Sequence, residues 1–124
     1  MMLVDSAIWI DHFDGRNTSL QPLLEQDGVL THPLVITEIA LGNLPQRDST
    51  LQILQNLPHI EEASHAEALA LLHSQRLDGS GIGCVDLHLL CAVKRRPGTR
   101  LWTRDRKLNK AATAMGLAGH PAAA

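Results

Sequence analysis

Residues 2–10 read MLVDSAIWI, a short apolar run that meets an acid and then continues as a helical pattern. A brief, unbroken apolar run of this kind predicts a parallel strand that is buried on both faces. Gly28–Thr31 and Arg100–Thr103 have the same character, and His59–Glu61 is a weaker fourth candidate. Helical patterns fill the segments between them, at 35–44, 50–57, 64–77, 86–95 and 105–115. We therefore predict an α/β fold with a central parallel sheet of four or five strands, flanked by helices on both faces.

Length and composition limit the chain to one domain. With 124 residues, 44% hydrophobic and 19% charged, the chain can bury one core and falls outside the disordered class. We expect a single domain over 1–118 and a frayed tail over 119–124.

The first apolar run stops at Asp5 and no basic segment precedes it, so neither a signal peptide nor a membrane anchor is expected. Cys84 and Cys91 lack the spacing of a metal site or a disulfide framework, which suits a reducing cytoplasm.

Aromatic and charged residues limit the ways in which this chain can contact nucleic acid. Trp9, Phe13 and Trp102 are its only Phe, Trp or Tyr residues, which argues against a platform that stacks bases on several rings. The net charge of −2 argues against a broadly basic binding protein. Eight of the eleven Lys and Arg residues nevertheless lie between Lys94 and Lys110. We expect any contact with nucleic acid to be mainly electrostatic.

Four acids occupy positions that a parallel α/β sheet brings to one edge. Asp5 follows the first strand, Asp105 follows the last strand, and Asp86 opens a helix after a glycine-rich loop. Ligands bind at the carboxyl ends of parallel strands, and these residues are expected to gather there. Glu38 can join them from the adjoining helix. The pattern predicts a cluster of four carboxylates.

Each acid also has a purely structural explanation. Asp5, Asp86 and Asp105 are favoured helix N-caps, and Glu38 could face solvent on its helix. Taken singly, each acid is better explained in this way. Together, three acids at strand ends and a fourth beside them exceed what capping requires. Like-charge repulsion would raise some of their pKa values unless a cation were present. A divalent metal removes that cost, and we therefore favour a metal site.

The residue types in this cluster select the metal. Carboxylate oxygens without clustered His or Cys favour Mg²⁺ or Mn²⁺ over zinc. The seven histidines, from His12 to His120, form no HExxH or comparable pairing. We expect most of these histidines to lie at the surface.

The basic stretch from Lys94 to Lys110, which flanks Asp105, is either a solvent-exposed helix face or a rim that binds phosphate. The two explanations are equally good when the stretch is considered alone. An acidic metal site beside it favours the phosphate-binding rim. The candidate RNA-binding residues are Arg95, Arg96, Arg104, Arg106 and Lys107.

The loop DGSGIG at 78–83 matches neither a Walker loop nor a dinucleotide fingerprint, and we interpret it as a flexible connector into Asp86.

Four segments of the chain together resemble a known family. They are LVDSAIWI at 3–10, ITEIALG at 36–42, GIGCVDLHLL at 81–90 and LWTRDRKL at 101–108. In content and order they are similar to the VapC toxins, which are ribonucleases with a PIN-type domain, and the likeness covers nearly the whole chain. The resemblance implies a Mg²⁺ or Mn²⁺ site held by Asp5, Glu38, Asp86 and Asp105.

The resemblance also implies supporting residues and partners. Thr103 and Ser6 would support the acids, whereas Cys84 stands where the family usually has a bulkier, often aromatic residue, which affects packing rather than chemistry. The family pattern implies a homodimer and a VapB-type antitoxin, with a heterotetramer or larger assembly between them. The antitoxin's C-terminal segment would place a basic side chain among the acids. DNA would be contacted only through the antitoxin, and the assembly would be cytoplasmic with no membrane contact.

We hypothesise a toxin endoribonuclease that hydrolyses RNA phosphodiester bonds. Asp5 and Asp86 would bind Mg²⁺ directly, Asp105 directly or through water, and Glu38 would orient a second ion or the attacking water. Two alternatives remain. A phosphoacceptor signalling domain shares the wound sheet and acidic pocket, but its first strand should end in adjacent acids, whereas Asp5 precedes Ser6. A catalytically silent binding module is the second alternative, and the complete acid set argues against it.

Overall fold

The computed structural model describes residues 1–121, so positions 122–124 of the predicted tail lie outside the described residues. In chain order the elements are β1 (Met2–Val4), α1 (Ser6–Phe13), α2 (Leu20–Glu25), β2 (Val29–Leu30), α3 (Pro33–Ala40), α4 (Arg47–Asn56), α5 (His65–Ser74), α6 (Cys84–Lys94), β3 (Arg100–Trp102) and α7 (Arg106–Ala114). Helices lie between successive strands, two between β1 and β2 and four between β2 and β3.

The sheet is parallel, with β1 between its two partners in the order β2-β1-β3. Leu3 of β1 pairs with Leu30 of β2 and with Leu101 of β3. Successive side chains of a strand point to opposite faces, and Leu3 and Val4 are both 0% exposed, so both faces of the central strand are covered. The predicted α/β class, with a parallel sheet flanked by helices, is confirmed.

The predicted number of strands, four or five, is wrong for the part of the chain that the structure describes, which contains three strands. The candidate strand at His59–Glu61 makes only an isolated parallel bridge, between His59 and Thr31. Ile60 is buried there, but His59 and Glu61 are exposed. With one apolar side chain to bury, the segment gains too little to extend along β2. A second isolated bridge joins Leu101 to Ala118 beyond α7.

The helices follow the predicted patterns, with shifts at their ends. Helix α6 begins at Cys84 rather than at Asp86, because Gly83 adopts an extended conformation and is the N-cap. Pro33 occupies the first turn of α3, where a missing backbone N–H is harmless. Helix α2 was not predicted, since its six residues are too few to show a helical period.

Helix α6 is packed into the core and determines the position of Asp86. Its residues Leu89, Leu90 and Val93 are fully buried. The helix contacts both α5 and β3, so its first turn is fixed relative to the sheet. Within residues 1–121, none of the helices has the length and apolar character needed to span a membrane.

Candidate active site

Asp5 lies where β1 ends and α1 begins. Its side chain is 7% exposed, and its Oδ1 accepts a hydrogen bond from the backbone N–H of Ser6 at 2.8 Å. Asp5 is therefore the N-cap of α1, as the structural explanation of this residue anticipated. The cap uses one carboxylate oxygen and leaves the other available for a different interaction.

Thr103, the first residue after the neighbouring strand β3, binds that other oxygen. The Thr103 hydroxyl donates to Asp5 Oδ2 at 2.7 Å in a buried hydrogen bond, and it accepts from the backbone N–H of Asp105 at 3.1 Å. One hydroxyl thus joins the end of β1 to the residue that starts α7. Because a hydrogen bond to a carboxylate is stronger than one between neutral groups, this contact fixes the orientation of the Asp5 side chain.

Glu38 approaches Asp5 from α3, which packs against α1. The Ser6 hydroxyl donates to Glu38 Oε1 at 3.3 Å, so the residue after Asp5 holds the second acid. Burial raises the pKa of Glu38 above its ordinary value, and the negative charge of Asp5 raises it further. The hydrogen bond from Ser6 opposes this rise, and the charge of Asp86 adds to it.

Asp86 is the third residue of α6, one turn after the glycine-rich loop. Its Oδ2 accepts a hydrogen bond from the backbone N–H of Gly83 at 3.2 Å. Burial raises the pKa of Asp86, and the charges of Asp5 and Asp105 raise it further, while the bond from Gly83 opposes the shift. The carboxylate therefore closes the first turn of α6 and also faces other acids.

Asp105 is the N-cap of α7. Its Oδ1 accepts hydrogen bonds from the backbone N–H groups of Lys107 at 2.9 Å and Leu108 at 3.0 Å. The residue itself is exposed. Its position at the carboxyl end of β3 places it on the same edge of the sheet as Asp5, which follows β1.

The four acids gather at one edge of the sheet without forming a closed cage. Besides burial, the charge of Asp5 raises the pKa values of both Glu38 and Asp86. The charge of Asp86 adds to the rise at Glu38, and the charge of Asp105 adds to the rise at Asp86, which requires the acids to be near neighbours. Within residues 1–121, no three His, Cys, Asp or Glu side chains converge closely enough to hold a metal ion as they stand. Repulsion keeps uncompensated carboxylates apart. The donor set, made of oxygens alone, fits Mg²⁺ or Mn²⁺, and a cation would relieve the repulsion.

The candidate RNA-binding residues divide between two edges of the sheet. Arg104, Arg106 and Lys107 follow β3 and lie on the edge with the acids, whereas Arg95 and Arg96 follow the C-terminal end of α6. The helical rise places Arg95 about 13 Å along α6 from Asp86. Arg95 is also paired with Glu67, at 2.7 Å, which links α6 to α5. The structure therefore does not bring Arg95 and Arg96 to the acids.

Two contacts beside the acids were not predicted. Arg104 forms an ion pair with Asp11 of α1, with Nε and Oδ2 3.0 Å apart. The Lys107 side chain lies across Gly81, where an added Cβ would come within 2.7 Å of Lys107 Cδ and 2.9 Å of its Nζ. Gly81 also has a φ of +85°, which favours glycine. The glycine-rich loop therefore makes room for a cationic side chain, although no motif in the loop indicates this.

Replacing Glu38 with Gln should stabilise the metal-free protein at neutral pH. The raised pKa of Glu38 means that folding disfavours its ionised form. The resulting penalty is absent at low pH, where the carboxyl is protonated, and develops as pH rises through the raised pKa. In EDTA at pH 7 we expect Glu38→Gln to melt about 2–4 °C above the wild type. A modest increase in the free energy of unfolding shifts the melting temperature of a domain of this size by that amount.

Thermal unfolding followed by circular dichroism from pH 4 to pH 8 measures this difference. The gap between Glu38→Gln and the wild type should close toward low pH. Saturating Mg²⁺ at pH 7 should stabilise the wild type more than the variant. A variant that melts below the wild type at pH 7 in EDTA would show that folding does not disfavour the ionised form of Glu38.

Comparison with known proteins places the chain in a family. No family model matches the chain. The chain is 44% identical over 118 residues to Ribonuclease VapC32 of Mycobacterium tuberculosis strain CDC 1551 / Oshkosh, covering 95% of both proteins. The same identity and coverage hold for Ribonuclease VapC32 of strain ATCC 25618 / H37Rv. The four sequence segments, the parallel α/β fold and this similarity over nearly the full length agree, and the chain belongs to the VapC family of ribonucleases.

Proposed function

We propose that the chain is a toxin endoribonuclease that hydrolyses RNA phosphodiester bonds at the carboxylate cluster. The cluster consists of Asp5, Glu38, Asp86 and Asp105. The observation that carries the proposal is the bridge made by the Thr103 hydroxyl, which holds the Asp5 carboxylate beside the start of α7. A helix cap alone needs no such bridge from a neighbouring strand. The similarity to the VapC32 ribonucleases supports the same activity.

The acids would hold a divalent ion, Mg²⁺ or Mn²⁺. Asp5 and Asp86 are the direct ligands in this proposal, and Asp105 acts directly or through water. When bound, the ion supplies Lewis-acid stabilisation of the phosphodiester and makes water more acidic. Asp5 is oriented for this role by Thr103 and by the backbone of Ser6.

Glu38 would position the attacking water and hold its proton. A carboxylate with a raised pKa accepts a proton more readily at neutral pH than an ordinary glutamate does. Ser6 holds Oε1 of this carboxylate, which leaves Oε2 as the atom that accepts the proton. Attack by water, rather than by the 2′-hydroxyl of the RNA, would leave 5′-phosphate and 3′-hydroxyl ends.

RNA would be held by the cations on the acidic edge of the sheet. Arg104, Arg106 and Lys107 are exposed there, and the ion pair with Asp11 orients Arg104. Contacts to phosphate position a nucleic acid without reading its sequence. Arg95 and Arg96, at the far end of α6, are outside this proposed binding surface.

The wider assembly is also part of the proposal. Residues 1–118 would form one PIN-like domain that acts as a homodimer in the cytoplasm. A VapB-type antitoxin would inhibit it by placing a basic side chain among the four acids, where it would offset their mutual repulsion. RNA is the substrate, and DNA would be contacted only through the antitoxin, in a heterotetramer or a larger complex.

Purified, antitoxin-free protein should cleave total RNA when Mg²⁺ or Mn²⁺ is present. We expect EDTA to abolish cleavage and Asp5→Asn to lower its rate at least about a hundredfold, because an amide is a poor ligand for a hard cation. Gel analysis of the RNA measures the rate, and mapping the termini identifies the products. Cleavage that survives EDTA, or that leaves 2′,3′-cyclic phosphate ends, would contradict the mechanism. No cleavage at all would favour the silent binding module.

Removing the Thr103 hydroxyl should slow catalysis without unfolding the protein. Thr103→Val keeps the shape of the side chain but lets Asp5 rotate, and we expect kcat to fall about 10- to 100-fold, as for other residues that orient metal ligands. Thr103→Ser is the matched control, since it restores the hydroxyl, and it should keep most of the activity. Activity that is kept in Thr103→Val but lost in Thr103→Ser would show that Thr103 acts through packing alone.

A further inference from the structure

Two histidines meet between helices α5 and α6, away from the carboxylate cluster. His65 is the first residue of α5, and His88 is the fifth residue of α6. Their ring nitrogens, Nδ1 of His65 and Nε2 of His88, are 3.5 Å apart. The two rings are nearly parallel, at 16°, with centroids 5.7 Å apart. The residues are 23 positions apart in the chain, so no sequence motif indicates the pair.

The separation of these nitrogens fits a shared metal ion. Zinc binds imidazole nitrogen at about 2.0–2.1 Å, and two such bonds at a tetrahedral angle place the nitrogens about 3.3–3.4 Å apart. The observed distance lies at the outer limit for a hydrogen bond between the rings. A small side-chain adjustment would therefore turn this weak contact into a two-histidine ligand pair.

The backbone that carries His65 is already fixed in place. Ser64 caps α5 by accepting from the backbone N–H of Glu67, and Glu67 Oε1 accepts from the backbone N–H of Ser64 in return. Glu67 Oε2 lies 2.7 Å from Arg95 Nε, at the end of α6. The first turn of α5 is thus tied to α6 before any ion binds, which lowers the entropic cost of binding.

His32, the nearby buried histidine, is not a third ligand. Its Nδ1 accepts a hydrogen bond from the backbone N–H of Leu34 at 3.0 Å, so the proton of the neutral ring is on Nε2. Burial lowers the pKa of His32, which keeps the ring neutral. No three metal-binding side chains converge anywhere in residues 1–121. The site therefore has two protein ligands, and solvent would complete the coordination on the exposed side of His65.

We propose that His65 and His88 bind a borderline divalent transition ion, with Zn²⁺ as the representative, and that the ion links α5 to α6. Imidazole nitrogens prefer such ions, whereas the carboxylate cluster prefers hard Mg²⁺ or Mn²⁺. His88 follows Asp86 by two residues, about 200° around the helix, so the two sites lie on opposite sides of α6. They can be occupied independently.

Titration with ZnCl₂ in saturating Mg²⁺ tests the proposal. The protein should carry Cys84→Ser, so that the exposed thiol is not the zinc ligand. We expect one Zn²⁺ per chain by isothermal titration calorimetry. His65→Ala and His88→Ala should each weaken binding at least tenfold, because one imidazole alone holds the ion poorly. His73→Ala, at an exposed histidine of α5, is the matched control and should leave affinity unchanged.

Zinc should also raise the melting temperature of the Cys84→Ser protein, and His65→Ala should remove that rise. His65 is exposed, so this variant keeps the test valid even where His88→Ala fails to fold. Asp5→Asn should leave the zinc affinity unchanged. Zinc affinity that survives His65→Ala, that is lost in Asp5→Asn, or that is absent in Mg²⁺-saturated protein would overturn the proposal.

Discussion

The hydrogen bond from the Thr103 hydroxyl to Asp5 is the interaction on which the site depends. It is buried, it is 2.7 Å long, and it joins residues 98 positions apart in the chain. The parallel pairing of β1 with β3 brings the two residues to the same edge. The same hydroxyl accepts a hydrogen bond from the backbone N–H of Asp105. It therefore sets the position of the Asp5 carboxylate and also that of Asp105, the N-cap of α7. Without it, Asp5 would be held only by its helix cap.

The structural roles of the acids at this edge are compatible with the functional roles that we propose for them. Asp5 and Asp105 cap their helices, and Asp86 closes the first turn of α6, each through protein N–H donors. These bonds hold the carboxylates in place despite their mutual repulsion, which adds to the effect of burial in raising the pKa values of Glu38 and Asp86. A fold that holds acids together in this way favours cation binding, because a cation neutralises the repelling charges and is bound by the carboxylate oxygens.

The sequence predicts the acidic edge better than its surroundings, for physical reasons. Parallel strands end on one side, so Asp5 and Asp105 could be placed together from strand position alone. The number of strands could not be predicted, because His59–Glu61 has one apolar residue to bury. Arg96 and Lys107 were predicted to share an RNA-binding surface because they are close in the sequence. In the structure Arg96 follows α6 and Lys107 follows β3, so the two residues lie at opposite edges of the sheet. The contacts of Gly81 with Lys107 and of His65 with His88 join distant segments that share no periodic pattern.

The central claim is that these acids, organised by Thr103, bind the catalytic ion. The most direct measurement is anomalous diffraction from crystals of the antitoxin-free protein soaked in Mn²⁺, in wild type and Asp5→Asn. The claim predicts a Mn²⁺ peak at oxygen-ligand distance, about 2.0–2.3 Å, from Asp5 and from Asp86 or Asp105, and loss of that peak in Asp5→Asn. An ion bound elsewhere in a protein that cleaves RNA with Mn²⁺, or a peak that persists in Asp5→Asn, would contradict it.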